Sequence, residues 1–578
     1  MQKGLLVGAT LAVGCSFTAD FDGYTFRASD GGVDSAIDAP GDAGVDAPRD
    51  ETPPTVVSTS PAADTNLLDG RASIFVVFSE PIRADSSDVR VVLDDAVDVP
   101  GSVEVDNETL RFTPETPLRD GEHRVTVDAT VTDTSGNALA EPFTFAFTTQ
   151  PGATLISFRE EAAIGELRCP ELAADNAGNV AMIFMEDRTL YFALYRAGIG
   201  WSEASALAEE AQDANLSISP GGRIAVAYTA EVSDVARPLV RVSEAPLSTE
   251  FDMPSLADEV EPAIDPIHPP TPGSCSLRDR SMGVAVNDAG AVAVMWRTQG
   301  PVLREEFGWA RNVRAADGTW NTTAETTTLS PVDSAVRFRP AIAMNSAGHV
   351  ESVHFGRNGL SDTIFIRRSY DGSDWISPDP DNFLAGSSLP PRVSLLADDR
   401  FLFVMSGFDE GRFTLTSHTG NSEAPLVEQT VVNSQANEMA FSNGPVQWLV
   451  WQVAEDTIFA FRETLGDWRS GIDIPRDIPS EAQNFVIAGL SPPGDNATAL
   501  TLYEEDNAIW WAELEDEPVV PGVRRMGRLY EGGGEIVREP RVVFDSASNH
   551  GVIAFVGQNG GILRVANFRG ALNEVLTP

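Results

Sequence analysis

Asp175-Asn176-Ala177-Gly178-Asn179-Val180, Asn287-Asp288-Ala289-Gly290-Ala291-Val292 and Asn345-Ser346-Ala347-Gly348-His349-Val350 are three versions of one phrase. In each, an apolar run ends at a polar residue, a glycine follows three places later, and a second apolar run begins at once. Glycine and asparagine accept the positive φ of a tight hairpin turn, so the phrase predicts two antiparallel strands. Ser219-Pro220-Gly221-Gly222-Arg223-Ile224 is a fourth copy, and weaker ones lie at 397–400, 442–445, 491–495 and 545–549. A third strand follows, as at 190–195, 307–313, 364–368, 458–462 and 509–514. Glycine and tryptophan often close it, in Gly200-Trp201, Gly318-Thr319-Trp320, Gly372-Ser373-Asp374-Trp375 and Gly466-Asp467-Trp468.

Eight such units fill residues 151–578, a period of roughly 50 that marks a propeller or a solenoid. Units of about four strands with no helical periodicity between them select the propeller, and closing the ring removes the sheet edges that an open array exposes. Eight units give eight blades; seven follow if the weak fifth unit is not a blade or two partial units combine. The tryptophans are expected to pack between blades, with a sugar-stacking platform as the lesser use.

Outward from the repeat, residues 53–150 show short β-rich runs at 73–78, 89–93, 109–112, 123–129 and 143–148, separated by Pro, Gly, Asp and Asn. That is the pattern of a sandwich of about a hundred residues. Pro53-Pro54-Thr55-Val56, Ser60-Pro61, Phe78-Ser79-Glu80-Pro81-Ile82, Asp133-Thr134-Ser135-Gly136-Asn137-Ala138-Leu139 and Phe143-Thr144-Phe145-Ala146-Phe147-Thr148-Thr149 together resemble the Ig-like domain of bacterial surface-layer and secreted proteins. The resemblance implies a spacer and no catalytic residues. Asp and Asn in the Asp133 turn are expected to bond their own backbone rather than hold a cation, and no metal site is assigned.

Residues 15–52 collapse to Asp, Ala, Gly, Pro and Ser and lack the apolar surface to fold, so they read as an acidic tether exploring about 30–35 Å. Ahead of it, Lys3, the apolar run 4–13 and Leu11-Ala12-Val13-Gly14-Cys15 resemble the signal peptide and lipobox of bacterial lipoproteins. Ala12 departs from the usual leucine. The resemblance implies removal of residues 1–14, a lipid on Cys15, and a place in the cell envelope at the outer membrane or cell surface. Of the three cysteines, Cys169 and Cys275 then remain to form a disulfide, which an exported compartment permits. Two buried thiols are the other possibility.

The balance of 40 Lys+Arg against 86 Asp+Glu gives a formal charge of −46, which argues against nucleic acid and anionic membrane surfaces as partners. Membrane contact is expected through the lipid anchor only. No Walker loop, dinucleotide fingerprint or Gly-x-Ser-x-Gly elbow is present, and no cofactor is implied. The six histidines show no metal spacing.

Ser369-Tyr370-Asp371-Gly372-Ser373-Asp374-Trp375 resembles a degenerate Asp box of the sialidase-like propellers, one residue short of the family spacing. In that family the box is a structural turn away from the active site. The family's Arg-Ile-Pro motif has its nearest counterpart in Arg337-Phe338-Arg339-Pro340, which points to Arg339 or Arg337; no tyrosine stands in the context of the nucleophile. Seven residues before each turn the units place Arg168, Gln212, Arg280, Phe338, Gln435, Asn484 and Arg538, a partial ring of donors on one rim. Arg168, Arg280, Arg339 and Arg538 are therefore the candidate ligand-binding residues, suited to carboxylate or phosphate. Pairing with nearby acids is the plainer use of the same arginines.

The expectation is an all-β chain, an Ig-like β-sandwich followed by a seven- or eight-bladed β-propeller. It is a surface-anchored lipoprotein whose head binds a glycan, peptide or protein partner. A sialidase-like glycoside hydrolase and a non-catalytic envelope scaffold are the alternatives.

Overall fold

The computed structural model describes residues 50–569 apart from a number of segments, of which 258–281 and 329–339 are the longest; residues 1–49 and 570–578 also lie outside the described set. The predicted signal peptide, Cys15 and the tether fall among the residues that are not described. The described residues form strands and turns and no helix.

The first hundred described residues form two larger sheets and a short two-stranded one, Ile82–Arg83 with Thr132–Asp133. One runs in the order Val56–Ser60, Ile74–Phe78, Thr109–Pro114, Gly101–Asp106; the other runs Asn66–Leu67, Phe143–Thr149, Gly121–Val127, Val89–Leu93, Val97–Asp98. Alternation sets which side chains are buried: Ile74, Val76 and Phe78 face in, as do Val125, opposite Phe145, and Val127 and Phe147. His123 is fully buried among them, stacked on Phe147 and hydrogen-bonded through Nε2 to Thr149 Oγ1 at 3.1 Å. The two sheets share one apolar core, as expected of a sandwich.

Beyond it lie eight antiparallel sheets of four or five strands, one for each repeat unit. Their first strands are Leu167–Ala174, Ala211–Ile218, Met282–Val286, Ala341–Met344, Arg392–Leu395, Glu438–Ser442, Gln483–Gly489 and Val537–Asp545, and the sheets are numbered one to eight in that order. The weak fifth unit is a full sheet: Arg392–Leu395, Phe401–Asp409, Arg412–Gly420 and Val427–Val432. Sheet eight takes its fourth strand from the front of the region, Gly152–Phe158, paired antiparallel with Ile562–Arg569. Each sheet adjoins the next, sheets five and six through their outermost strands, and the first strand of sheet eight adjoins that of sheet one.

The turns form as the residues dictate. Asn179, Ala291 and His349 each donate their backbone N–H to the side-chain oxygen of the turn's first residue, Asp175, Asn287 and Asn345, at 2.8–3.0 Å; Arg223 does the same to Ser219 Oγ at 2.9 Å. Gly178, Gly222, Gly290 and Gly348 take φ between 79° and 88°, the left-handed region their side-chain-free backbone allows. Successive turns are also tied to each other. Asn176 N–H donates to Pro220 O, Gly221 N–H to Asp288 Oδ1, Asn287 Nδ2 to Ser346 O, and Ser346 N–H and Oγ to Asp399. The polar turn therefore serves both as hairpin and as clasp to the following sheet.

Apolar cores lie between sheets. Leu190, Phe192 and Leu194 of sheet one meet Leu216, Val226 and Tyr228 of sheet two. Val180, Met182 and Phe184 on the other face of sheet one meet Val552, Val556 and Val565 of sheet eight. Trp201 packs against that second core and donates Nε1–H to Asn567 Oδ1 at 3.3 Å. Trp320 packs between sheets two and three, and Trp375 between three and four, so these closing tryptophans are inter-sheet packing.

Candidate functional site

The first strands of seven of the eight sheets surround one cavity of about 480 Å³. That volume lies within the roughly 300–1,000 Å³ of small-molecule sites. Its position is set by register. Counting four residues back from each turn's first polar residue gives Asn215, Gly283, Ala341, Ser394, Ile487 and Arg541, and all six line the cavity. The equivalent residue of sheet one is Glu171, whose carboxylate approaches Arg541 Nη2 to 3.6 Å, with both side chains 8% exposed.

The polar side chains among its lining residues are those of Asn215, Ser217, Arg392, Ser394 and Arg541. Asn215 is 2% exposed, and its Nδ2 has no hydrogen-bond acceptor. Its neighbours in the strand, Ala214 and Leu216, anchor in the core between sheets one and two, which fixes the amide in place. Arg541 donates Nη1–H to Pro540 O at 2.8 Å and faces Glu171 with Nη2, so its charge is met inside the fold. Ser217, Ser394 and Arg392 supply further polar groups, and Phe485, stacked on Tyr503 at 5.6 Å, supplies an aromatic wall. Burial raises the Tyr503 hydroxyl above its ordinary range, and the Glu505 charge adds to the effect. No carboxylate and no tyrosine lines the cavity among the described residues.

Arg168 and Arg538 occupy the same register of sheets one and eight. Arg168 pairs with Met185 and Arg538 with Val556, and each precedes a bulge in its strand. The residue after each takes positive φ, 59° at Cys169 and 60° at Glu539. Carboxylates hold these kinks across the sheet boundaries: Cys169 N–H donates to Glu539 Oε2 at 2.9 Å, and Glu539 N–H to Glu504 Oε1 at 2.6 Å. Arg538 Nη2 donates to Asn507 Oδ1 at 3.1 Å. Along the first strand of sheet one, Arg168 lies four residues from Leu172, the first cavity residue there, about 13 Å at ~3.3 Å per residue. Arg280 and Arg339 lie outside the described residues. Cys169 is disulfide-bonded. Cys275 lies outside the described residues.

Two further polar clusters stand apart from the cavity. Between sheets three and four, Arg311, fully buried, sets Nε 2.9 Å from Glu325 Oε2, and Arg368 Nε lies 3.6 Å from Oε1. Burial brings the Arg311 guanidinium down to about 10, with Glu325 opposing and Arg368 adding to the fall. His354, buried beside them, is held well below its ordinary value by burial first and by Arg311 and Arg368 next. In the sandwich, the Asp133 carboxylate is held within its own turn. Asp133 accepts from Asn137 N–H and Nδ2 at 2.8 Å each, the backbone-bonding use the turn sequence leads one to expect.

The Asp-box-like turn is structural. Asp371 Oδ1 accepts from Ser373 N–H and Oγ and from Asp374 N–H, which hold its carboxyl down to about 2. The cavity layer lies four residues before the turns, at Glu171, Asn215, Ser394 and Arg541, three residues on from the register of Arg168 and Arg538, and its recurrence of polar residues is visible in the sequence.

In structure the chain is similar to an ulvan lyase, with TM-score 0.38 and 10% identity, covering 71% of this chain and 95% of that one. It is similar to a mutant of NanB sialidase from Streptococcus pneumoniae, with TM-score 0.33 and 9% identity, covering 87% and 95%. It is similar also to the intramolecular trans-sialidase from Ruminococcus gnavus, with TM-score 0.32 and 8% identity, covering 63% and 95%. No curated protein matches the sequence. Residues 50–149 match the family of bacterial Ig-like domains, the segment that the fold builds as the two-sheet sandwich.

Proposed function

We propose that residues 151–578 close into an eight-bladed propeller, that this head binds carbohydrate in its axial cavity, and that the Ig-like domain, the tether and a lipid on Cys15 hold it at the surface of a bacterial cell envelope. The observation that carries the reading is the cavity itself: one space lined by the first strands of seven sheets, with Ser217, Arg392, Ser394 and Arg541 among its lining residues. Hydroxyl-rich ligands are recognised by polar groups held in fixed positions in such a concave site. Binding is favoured over hydrolysis because glycoside cleavage generally uses two carboxyl groups flanking the bond, and the described lining holds none. The disulfide of Cys169 is assigned to Cys275, with Cys15 reserved for lipid.

The test is a glycan array with the full chain, followed by a panel of fluorogenic glycosides. Saturable binding to a set of glycans without turnover is expected. Turnover of any glycoside would replace the binding reading with an enzymatic one, and the absence of all glycan binding would remove it.

A further inference from the structure

We infer that the cavity takes the end of a glycan chain and not a segment from its middle, so that each head occupies one chain terminus. The inference rests on the carbohydrate-binding reading and names the part of a sugar polymer that the site admits.

What a cavity admits is decided by where its walls stand. The first strands of sheets one to five adjoin in turn, and so do those of sheets six, seven, eight and one. Seven of these eight strands line the space. Each first strand is hydrogen-bonded to the second strand of its own sheet, so the wall is continuous within a sheet. The joints between sheets are filled as well. Apolar side chains pack across sheets one and two, two and three, three and four, four and five, seven and eight, and eight and one. Residues 215–218 and 391–394 line the cavity consecutively, so the wall runs about 10 Å along those strands at ~3.3 Å per residue. A ligand therefore enters along the strands, and the sides are shut to it at the filled joints. The middle of a glycan chain carries sugar in both directions. To seat it here, the polymer would have to double back within about 480 Å³ or thread the whole ring of strands. A chain terminus meets neither demand, because the rest of the polymer leaves it in one direction only. Sheets five and six, which adjoin through their outermost strands, form the joint at which a side exit for an internal segment would have to lie.

Calorimetric titration of the full chain tests this. The probes are malto-oligosaccharides and hyaluronan oligosaccharides of two, four and eight units, linear amylose and hyaluronan as the long polymers, and the strongest glycan of the array in the same sizes. End binding predicts one head per chain at every length, and a dissociation constant that changes less than about twofold between four and eight units, since a longer chain adds no terminus. Binding of internal segments predicts several heads on each long polymer and an affinity per chain that rises about threefold over the same step, as further positions become available. That result overturns the inference. Ser394→Phe, which puts a ring into the lined space, is expected to abolish binding at every length; binding unchanged in S394F places the sugar elsewhere and overturns the inference too. If S394F does not fold, the stoichiometry of the wild-type chain against polymer length decides alone. Loss of binding to every sugar on both array and calorimeter is a different result, and it sinks the carbohydrate reading itself.

Discussion

Glu351 and Arg367 form an ion pair with almost no contact with water, at 0% and 1% exposure, and removing one partner should be the most damaging single change in sheet four. Glu351 sits directly across the strand pair from Ser369, and Arg367 one step diagonally away, opposite Val353. The pairing is bidentate, Nε to Oε2 at 2.9 Å and Nη2 to Oε1 at 2.7 Å, and Ser369 Oγ donates to Oε2 at 2.7 Å. The guanidinium lies 5.1 Å from the ring centre of Phe403 in sheet five, inside the core those sheets share. Glu351→Ala would leave that cation buried without its carboxylate, a loss of about 3–5 kcal/mol. Replacing both by apolar groups, Glu351→Leu with Arg367→Met, removes the desolvated charges together and should return stability to within about 1–2 kcal/mol of wild type. Urea unfolding followed by tryptophan fluorescence is the assay, and it reports the head alone, because all ten tryptophans lie beyond residue 200. A cost below about 1 kcal/mol for E351A, or a double variant no more stable than the single, would refute the reasoning.

Three other outcomes follow from the same packing. His354 is kept neutral in the folded chain but takes a proton near pH 6.5 once unfolded, so the unfolded state binds more protons in acid and stability falls as pH drops below about 6.5. The fall should be smaller in His354→Leu, measured by urea midpoints across pH. Gly290→Ala has room for its methyl, whose nearest neighbour is the Arg223 side chain at 3.5 Å, so its cost of about 1–2 kcal/mol comes from φ +88° alone, and Gly290→Asn should cost less. Non-reducing peptide mapping of membrane-extracted protein should show Cys169 joined to Cys275 and a lipid-modified Cys15 at the mature N-terminus; a chain still carrying residues 1–14 would contradict the anchor.

Much of the fold was written locally. The turns at Asp175, Asn287 and Asn345 declared themselves because a side-chain acceptor and a glycine three places on are what a tight hairpin needs, and each became one. The strand at Val89–Leu93 and the third strands of the units were equally legible from apolar runs. The fourth strand of sheet eight was not, since Gly152–Phe158 is some four hundred residues from its partner and carries no mark of the repeat. Nor were the buried pairs. Glu351 and Arg367 read as two more charges in an acidic surface until the strands placed them face to face. The rim arginines were found by comparing units, and Arg168 and Arg538 do share a register; the cavity layer needed the same comparison three residues further on, at Asn215 and Arg541. Polar residues near a turn are common, and only the packing of the first strands shows which register lines the cavity.

An experimental structure of the head grown with the tightest-binding oligosaccharide tests the proposed function most directly. Eight sheets in a closed ring and a sugar seated against Ser217, Ser394 and Arg392 in the cavity are expected. An open or seven-bladed array, or a sugar seated on the outer strands with the cavity free of it, would contradict it.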